Sequence, residues 1–239
     1  MSNRRPRLLV LNQYYRPGVE ATAHLLGELC EALTDEFDVT VVTGMVPGVT
    51  KQGRSELSGV EVVRVGSTAF DRSKLSLRAL NYLTYLVLSA VEGLRAPRPD
   101  VVLCMTDPPV IADVALMLAK RFRAPLVVVT QDVFPEVAVA LNRLDNRALV
   151  FALRLATRVY LQRADRVVAI GERVRERLET KGADGDRVVV IPNWVNVEEL
   201  EPRPRDNEWA REHGLDDKFV VMHSGNIGHA QDLDSLIRA

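Results

Sequence analysis

The stretch of sequence that decides the fold begins DRVVVIPNWVN (residues 186–196) and ends KFVVMHSGNIG (residues 218–228). In its first part, the apolar run at 188–191 has the length and the β-branched composition of a buried strand, which Pro192 ends. In its last part, a second apolar run at 219–222 leads into a turn that contains two glycines. The stretch therefore predicts two strands that are separated by a charged, proline-containing connection.

Short apolar runs alternate with helical patterns along the chain before this stretch. Continuous apolar runs are typical of central parallel strands that helices cover on both faces. We predict strands at 8–11, 37–43, 60–65, 100–105, 126–130, 166–170 and 188–191, and helices at 25–33, 75–94, 110–122, 147–162 and 171–181. A polar, glycine-rich segment at 47–59 is predicted to be a loop. The alternation predicts an α/β fold with a doubly wound parallel sheet of the Rossmann-like type.

The run at 219–222 follows this finished pattern and is itself followed by a glycine turn and a helical pattern. A strand, a turn and a helix in this order open an α/β domain. The sequence therefore predicts a complete N-terminal domain at 1–195, a linker at 196–217, and the start of a truncated C-terminal domain at 218–239.

The composition excludes several classes of protein. Of 239 residues, 47% are hydrophobic and 26% charged, as in soluble globular proteins, and the net charge of −1 gives no general attraction to nucleic acid. Cys30 and Cys104 lie in apolar surroundings without metal-ligand spacing, which is typical of a reducing cytoplasm. The first apolar run is too short for a signal peptide, and no segment has the length of an uninterrupted membrane span. We expect a cytoplasmic protein.

The loops that follow the strands are the predicted ligand site, because doubly wound sheets bind ligands beyond the carboxyl ends of their strands. In the first of these loops, Gly18 and Glu20 precede a helix whose N-terminal amides can hold a phosphate. The alternative is a plain turn in which Glu20 stabilises the start of the helix. After the strand at 126–130, Asp132 and Glu136 can bind sugar hydroxyls or act as a base toward an acceptor hydroxyl. Alternatively, Asp132 caps the next helix and Glu136 is solvated.

The turn at 223–228 supplies the remaining candidate residues, Gly225, Asn226 and Gly228, whose backbone amides can hold a diphosphate. The dinucleotide fingerprint and the Walker phosphate loop are absent, and the strand at 37–43 does not end in the acid that would bind a ribose. These absences disfavour a dehydrogenase. The four histidines lack metal-ligand spacing, so no metal is expected.

The helix at 75–94 has two interpretations. Tyr82 and Tyr85 within it, and Arg72, Lys74 and Arg78 at one end, are typical of an amphipathic helix on an anionic membrane surface. The alternative is a helix that packs over the sheet. A basic run further along has a similar ambiguity between lipid contact and a solvated helix face: Arg154, Arg158, Arg163 and Arg166.

Several of these pieces, in this order, resemble the retaining glycosyltransferases of family 4, which have the two-domain GT-B fold. Within that family the chain looks most like the branch that builds bacterial capsule, O-antigen and exopolysaccharide sugars. The resemblance rests on QYYRPGVEATAHLLGELCEAL (13–33), DVTVVTG (38–44), VTQDVFPE (129–136), ADRVVAIGERVRERL (164–178), VVVIPNWVN (188–196) and VVMHSGNIGHAQDLDSLI (220–237).

The resemblance implies that the N-terminal domain holds the acceptor, that the C-terminal domain holds a nucleotide sugar, and that catalysis needs no metal or other cofactor. By position, Gly18 would lie near the donor diphosphate, Asp132 would face the acceptor or the reacting sugar, and Asn193 would line the cleft. The donor-side turn would consist of Gly225, Asn226 and Gly228. The chain departs from the family where Val19-Glu20 follows Gly18 in place of a second glycine, and where Gln131 replaces a histidine.

The sequence thus predicts a retaining, metal-independent glycosyltransferase. It would move a hexose-type sugar from a nucleotide-sugar donor to a lipid-linked glycan or oligosaccharide acceptor at the cytoplasmic face of the membrane. The family's basic residue and paired glutamates for the donor fall beyond Ala239, so the chain is expected to be a fragment without turnover of its own. Two alternatives stay open, namely a nucleotide-sugar epimerase of the same fold and a non-catalytic domain that binds an acceptor or another protein.

Overall fold

The computed structural model describes residues 4–68, 75–141, 144–198, 202, 204–225, 227 and 232–238, without the side chains of 75–79. The chain divides into two compact units, Met1–Asn193 and Trp194–Ala239. Strands and helices of the first unit alternate in this order: β1 Arg7–Leu11, α1 Ala21–Leu33, β2 Asp38–Gly44, β3 Gly53–Leu57, β4 Val60–Val65, α2 Leu75–Arg95, β5 Val101–Met105, α3 Ile111–Phe122, β6 Leu126–Thr130, α4 Glu136–Ala140, α5 Arg147–Arg163, β7 Arg166–Ala169, α6 Glu172–Thr180 and β8 Val188–Val190.

The strands of this part of the chain form one eight-stranded sheet in the order β3-β4-β2-β1-β5-β6-β7-β8. All neighbouring strands are parallel except β3 and β4. The central position of β1, between β2 and β5, marks the point at which the chain reverses its direction of winding. The prediction of a doubly wound, Rossmann-like α/β fold is confirmed.

Both faces of the sheet are buried, as the continuous apolar runs of its strands predict. In β1, Leu9 and Leu11 belong to one core cluster, which also contains residues of α2, α3, α5 and α6. Leu8 and Val10 belong to the other cluster, which contains residues of α1. Successive side chains of a strand point to opposite faces, so β1 contributes to both cores.

The segment 47–59 contains a strand where the sequence predicts only a loop. β3 pairs antiparallel with β4 and places Leu57 opposite Val60, so Ser58 and Gly59 form a two-residue hairpin turn. Both turn residues have positive φ, 50° and 77°, which is typical of turns that match the twist of a hairpin. All five residues of β3 are exposed, so the strand lacks the apolar pattern by which strands are recognised. The prediction of a loop over 53–57 is wrong for this reason.

The second unit contains two short helices among its described residues, α7 Glu208–Glu212 and α8 Leu233–Arg238. The side chain of Asn207 caps α7 by accepting the Ala210 N–H at 3.0 Å. Residues 219–222 have no regular secondary structure and are exposed, so the strand predicted there is wrong. An apolar run forms a stable strand only where neighbouring strands pair with it, and no described segment does so here. The domain boundaries at 195 and 217 stay predictions.

None of the described helices is both long and apolar enough to cross a membrane.

Candidate functional site

The carboxyl edge of the sheet brings the predicted site loops of the first unit together around the reversal point at β1. The loops that follow β1 and β5 lie on the two sides of this point, and the loop that follows β6 is next along the edge. In doubly wound sheets this crevice is where ligands bind.

The loop that follows β1 is fixed by two arginines. The buried Arg64 of β4 donates to the carbonyl oxygen of Arg16 in the loop, and to that of Gly44 at 3.3 Å. The side chain of Arg16 forms ion pairs with Glu31 at 2.6 Å and with Glu28 at 3.8 Å on α1. The backbone of the loop is therefore connected both to the neighbouring strands and to the helix that follows it.

Gly18 and Glu20 lie against one another within this loop. A Cβ atom on Gly18 would lie 2.6 Å from Oε2 of Glu20 and 3.0 Å from the carbonyl oxygen of Tyr15. The N–H of Gly18 donates to the same carbonyl at 3.0 Å. Glu20 occupies the cap position of α1, where its backbone carbonyl accepts the Ala23 N–H at 2.9 Å and its side chain makes no capping hydrogen bond. The glycine thus leaves room for the carboxylate of Glu20, and its proximity to a donor diphosphate stays a prediction.

Asp107, which follows β5, adds a carboxylate that the sequence prediction missed. Burial is the main reason that the pKa of Asp107 is raised above its ordinary 3.8, and the nearby carboxylates of Asp132 and Glu20 raise it further. A hydrogen bond from the side chain of Thr22 opposes this rise. The backbone carbonyl of Asp107 accepts the Gln13 N–H at 2.8 Å, which joins the two loops at the reversal point. Three carboxylates from three loops therefore lie near one another at this edge.

The sequence contained one usable signal for Asp107. It is a carboxylate in the loop 106–109, which the strand-end rule selected as part of the site. The two prolines that follow it are typical of a plain turn, and burial near two other acids cannot be read from one sequence.

Asp132 is exposed in the loop that follows β6. Next to it, Gln131 and Asn193 pair their side-chain amides reciprocally, with N···O distances of 3.0 and 3.2 Å. The N–H of Gln131 also donates to the side chain of Thr106 at 3.1 Å. These contacts connect the end of β8 to the loop of Asp132, so Asn193 lies at the same edge although 61 residues separate it from Asp132 in the sequence.

Glu136 lies at the start of α4 and has cationic partners. It forms ion pairs with Lys181, which follows α6, and with Arg154 of α5 at 3.1 Å. Burial alone would raise the pKa of Glu136, but hydrogen bonds from Lys181 and Arg154 and the charge of Lys181 lower it below its ordinary 4.5. Lys181 also donates to the carbonyl of Phe134 at 3.1 Å. Glu136 thus connects three helices, and its role toward an acceptor stays a prediction.

The predicted donor-side turn belongs to the second unit. Gly225 is exposed, and Asn226 and Gly228 lie outside the described residues. Across the described ranges, no three His, Cys, Asp or Glu side chains are arranged to hold a metal ion.

Residues 18–194 match the family model of the glycosyl transferase 4-like domain. The chain belongs to this family. The match covers most of the chain and includes Gly18, Asp107, Asp132 and Asn193. Membership of a family-4-like group of glycosyltransferases is therefore confirmed, whereas retention of configuration and the capsule or O-antigen branch stay predictions.

Two kinds of relative extend this result. The curated protein "Probable glycosyltransferase WbjE" from Pseudomonas aeruginosa is 26% identical over 244 residues, which cover 98% of this chain and 59% of that protein. HepE from Anabaena, crystallised with UDP-glucose, has a TM-score of 0.61 at 16% identity, over 97% of this chain and 56% of that one. Sucrose-phosphate synthase from Thermosynechococcus elongatus has a TM-score of 0.60 at 12% identity, over 84% and 54% of the two chains.

The two solved structures show that this glycosyl transferase 4-like domain shares its fold with part of GT-B proteins. The chain spans a little more than half the length of the relatives it matches.

Proposed function

We propose that the protein transfers a sugar from a nucleotide-sugar donor to a glycan acceptor, and that the first unit of this chain forms the acceptor side of the cleft. The observation that supports this proposal most directly is the convergence of Glu20, Asp107 and Asp132 at the carboxyl edge. This edge lies inside the range that matches the glycosyl transferase 4-like domain. Carboxylates accept hydrogen bonds from hydroxyl groups, which are the groups that a sugar acceptor presents.

The donor is proposed to be a nucleotide sugar, with a uridine diphosphate sugar as the first candidate. HepE, which shares the fold, was crystallised with UDP-glucose and with UDP. Departure of the nucleoside diphosphate leaves negative charge on the phosphate and positive character on the sugar carbon. The N-terminus of α1 would stabilise the former, and the carboxylates at the edge the latter.

Asp132 is assigned the contact with the acceptor or the reacting sugar, because its carboxylate is exposed while Asp107 is half-buried. Asp107 is assigned the task of holding the loops that follow β1 and β5 together. The Gln131–Asn193 pair is assigned the wall of the cleft beside Asp132. We propose that the reaction retains configuration and needs no metal, as the resemblance to family 4 implies.

The acceptor is proposed to be lipid-linked and to be reached at a membrane surface in the cytoplasm. An exposed apolar stripe on α2 supports membrane contact; it consists of Leu80, Leu83, Val87, Val91 and Leu94. Spacings of three and four residues place these side chains on one face of the helix. The exposed cations Arg95 and Arg98 lie at its carboxyl end, where they can contact anionic headgroups.

A transfer assay on the whole protein tests the proposed activity. UDP release from UDP-glucose and from other UDP sugars is measured with and without a lipid-linked glycan acceptor, and the products are separated by mass. Acceptor-dependent release with a heavier glycan product is expected. An epimerised sugar nucleotide formed without any acceptor would contradict the proposal and favour the epimerase alternative.

A further inference from the structure

A cavity of about 510 Å³ lies at the amino edge of the sheet, opposite the edge at which the carboxylates converge. Its walls come from the ends of α3 and α5 and from the segments that enter β6, β7 and β8. This volume falls within the roughly 300–1,000 Å³ of sites that bind small molecules. The cavity belongs entirely to the first unit of the chain.

The lining of the cavity combines an apolar floor with a basic rim. The floor consists of Leu116, Ala119, Ala124 and Leu126. The rim contains four cations and one carboxylate: Lys120, Arg123, Arg163, Arg187 and Asp165. A surface of this kind fits a molecule that has both an anionic group and an apolar portion.

Most of the basic charge at the rim has no acidic partner. The carboxylate of Asp165 accepts the N–H of Leu126 at 2.8 Å, and Arg187 pairs with Asp184 at 3.2 Å. Lys120, Arg123 and Arg163 form no ion pair with any carboxylate of the described residues. Like charges around one concavity repel each other, so an anion in the cavity would relieve this repulsion.

Arg123 has a backbone conformation that is unusual for an arginine. Arg123 ends α3 with φ 55° and ψ 41°, and its N–H donates to the carbonyls of Ala119 and Lys120. Helices that end in this left-handed conformation usually have glycine at this position, because any other side chain is strained there. Arg123 therefore occupies a position where glycine would fit better.

A simpler explanation accounts for part of this charge. Cations in the last turn of a helix interact favourably with its dipole, and Lys120 and Arg163 lie in such turns. Arg121 already serves α3 in this way. The dipole explains neither the left-handed Arg123, which lies beyond the last turn, nor the concave apolar floor.

We propose that this cavity binds a phosphate-bearing molecule. Its phosphate contacts Lys120, Arg123 and Arg163, and its apolar portion lies on the floor. The planar guanidinium groups suit phosphate because each can donate two parallel hydrogen bonds to it. The occupant does not compete with a nucleotide sugar, because the cavity opens at the other edge of the sheet. The phosphate comes either from a soluble compound or from a lipid headgroup.

Three forms of the chain test the proposal by titration calorimetry with pyrophosphate. Arg123→Gly removes a rim cation and also relieves the left-handed strain, so its thermal midpoint should be equal to or above that of the parent. Arg121→Gln is the matched control, because it removes the same charge next to the cavity but outside its lining. Arg163→Gln removes a rim cation from another helix.

The expected result is that Arg123→Gly and Arg163→Gln raise the dissociation constant for pyrophosphate about tenfold. Arg121→Gln should leave this constant near the parent value. Pyrophosphate bound at the carboxyl edge would not respond to these variants. Co-sedimentation with phosphatidylglycerol and with phosphatidylcholine vesicles distinguishes the sources. Loss of phosphatidylglycerol binding in Arg123→Gly and Arg163→Gln but not in Arg121→Gln, without pyrophosphate binding by the parent, would assign the phosphate to a lipid. Equal behaviour of Arg123→Gly and Arg121→Gln in both assays would overturn the proposal.

Discussion

At the scale of single residues, Asp132 is the side chain whose chemistry can be tested most directly. We predict that Asp132→Asn in the whole protein lowers turnover at least about tenfold, because the amide keeps the shape of the side chain and loses its charge. The fold should be unchanged, since the side chain is exposed. Initial rates at saturating donor, together with thermal midpoints, check both expectations.

Asp35→Asn is a matched control, because Asp35 is also exposed but lies near the opposite edge of the sheet. Similar turnover of both variants would refute the role of Asp132.

Asp107 leads to a prediction about pH. Its pKa is raised in the folded protein, so the folded state holds this proton more tightly than the unfolded state does. Its contribution to stability is therefore fully present below the unfolded value of 3.8 and is lost as the pH rises through the raised value. Asp107→Asn should be more stable than the parent at neutral pH, by about 1.4 kcal/mol for each unit of the rise, and no more stable in acid.

Urea unfolding of the parent and of Asp107→Asn over a series of pH values measures this difference. A constant difference at every pH would show that the carboxyl group titrates alike in the folded and unfolded states. Asp35→Asn, at an exposed position near the opposite edge of the sheet, serves as the control.

The sequence predicted the positions of some candidate residues and missed others for a definite reason. The positions of Gly18 and Asp132 at the carboxyl edge could be predicted because parallel strands all end at one edge, while their roles toward donor and acceptor stay predictions. Asp107 and the Glu136–Lys181 ion pair were not found. Their environments depend on which distant side chains pack beside them, and sequence spacing does not record this.

At the scale of elements, α2 and α3 approach closely at Gly93. A Cβ atom on Gly93 would lie 2.5 Å from Cδ1 of Leu118, whose side chain is fully buried. Overpacking costs about 1–3 kcal/mol, whereas glycine to alanine in a helix gains about 1 kcal/mol. We therefore predict that Gly93→Ala lowers the free energy of unfolding, by up to about 2 kcal/mol.

A double-mutant cycle with Leu118→Val checks the cause of this effect, because valine lacks the atom that clashes. In the valine background, Gly93→Ala should become neutral or stabilising. If chemical denaturation gives the same change in both backgrounds, the loss of stability does not come from this contact.

Elements with a strong apolar pattern were predicted within a few residues, and two of the errors have opposite causes. β3 is a real strand without an apolar side, stabilised by its backbone pairing with β4 and by the Ser58-Gly59 turn. Residues 219–222 have the apolar pattern without any partner strand among the described residues. Both cases show that a strand is defined by its neighbours as much as by its own side chains.

At the scale of the whole molecule, the parallel order of the sheet followed from the alternation of strands and helices, since a helix between two strands returns the chain to the edge where the first strand began. The net charge of −1 is equally informative for membrane contact. A nearly neutral molecule has no general attraction to an anionic surface, so binding must depend on a local patch.

We predict that Leu83→Glu and Val87→Glu, on the exposed apolar stripe of α2, release the whole protein from phosphatidylglycerol vesicles. Each substitution replaces apolar surface with a charge that the lipid repels. Glu176→Leu is the reverse control, since it adds an exposed apolar side chain on α6, away from the stripe. Co-sedimentation measures the bound fraction, and an unchanged fraction in both glutamate variants would leave α2 as a packing helix only.

The hairpin of β3 and β4 has a consequence for how molecules of this protein meet each other. Open sheet edges offer unpaired backbone groups on which strands of other molecules can grow into fibrils. Here one edge is β3, with exposed Arg54 and Glu56, and the other is β8, which is three residues long. Charged or short edges discourage such growth. Removing residues 53–57 would uncover β4, whose valines would then make a template for polymerisation.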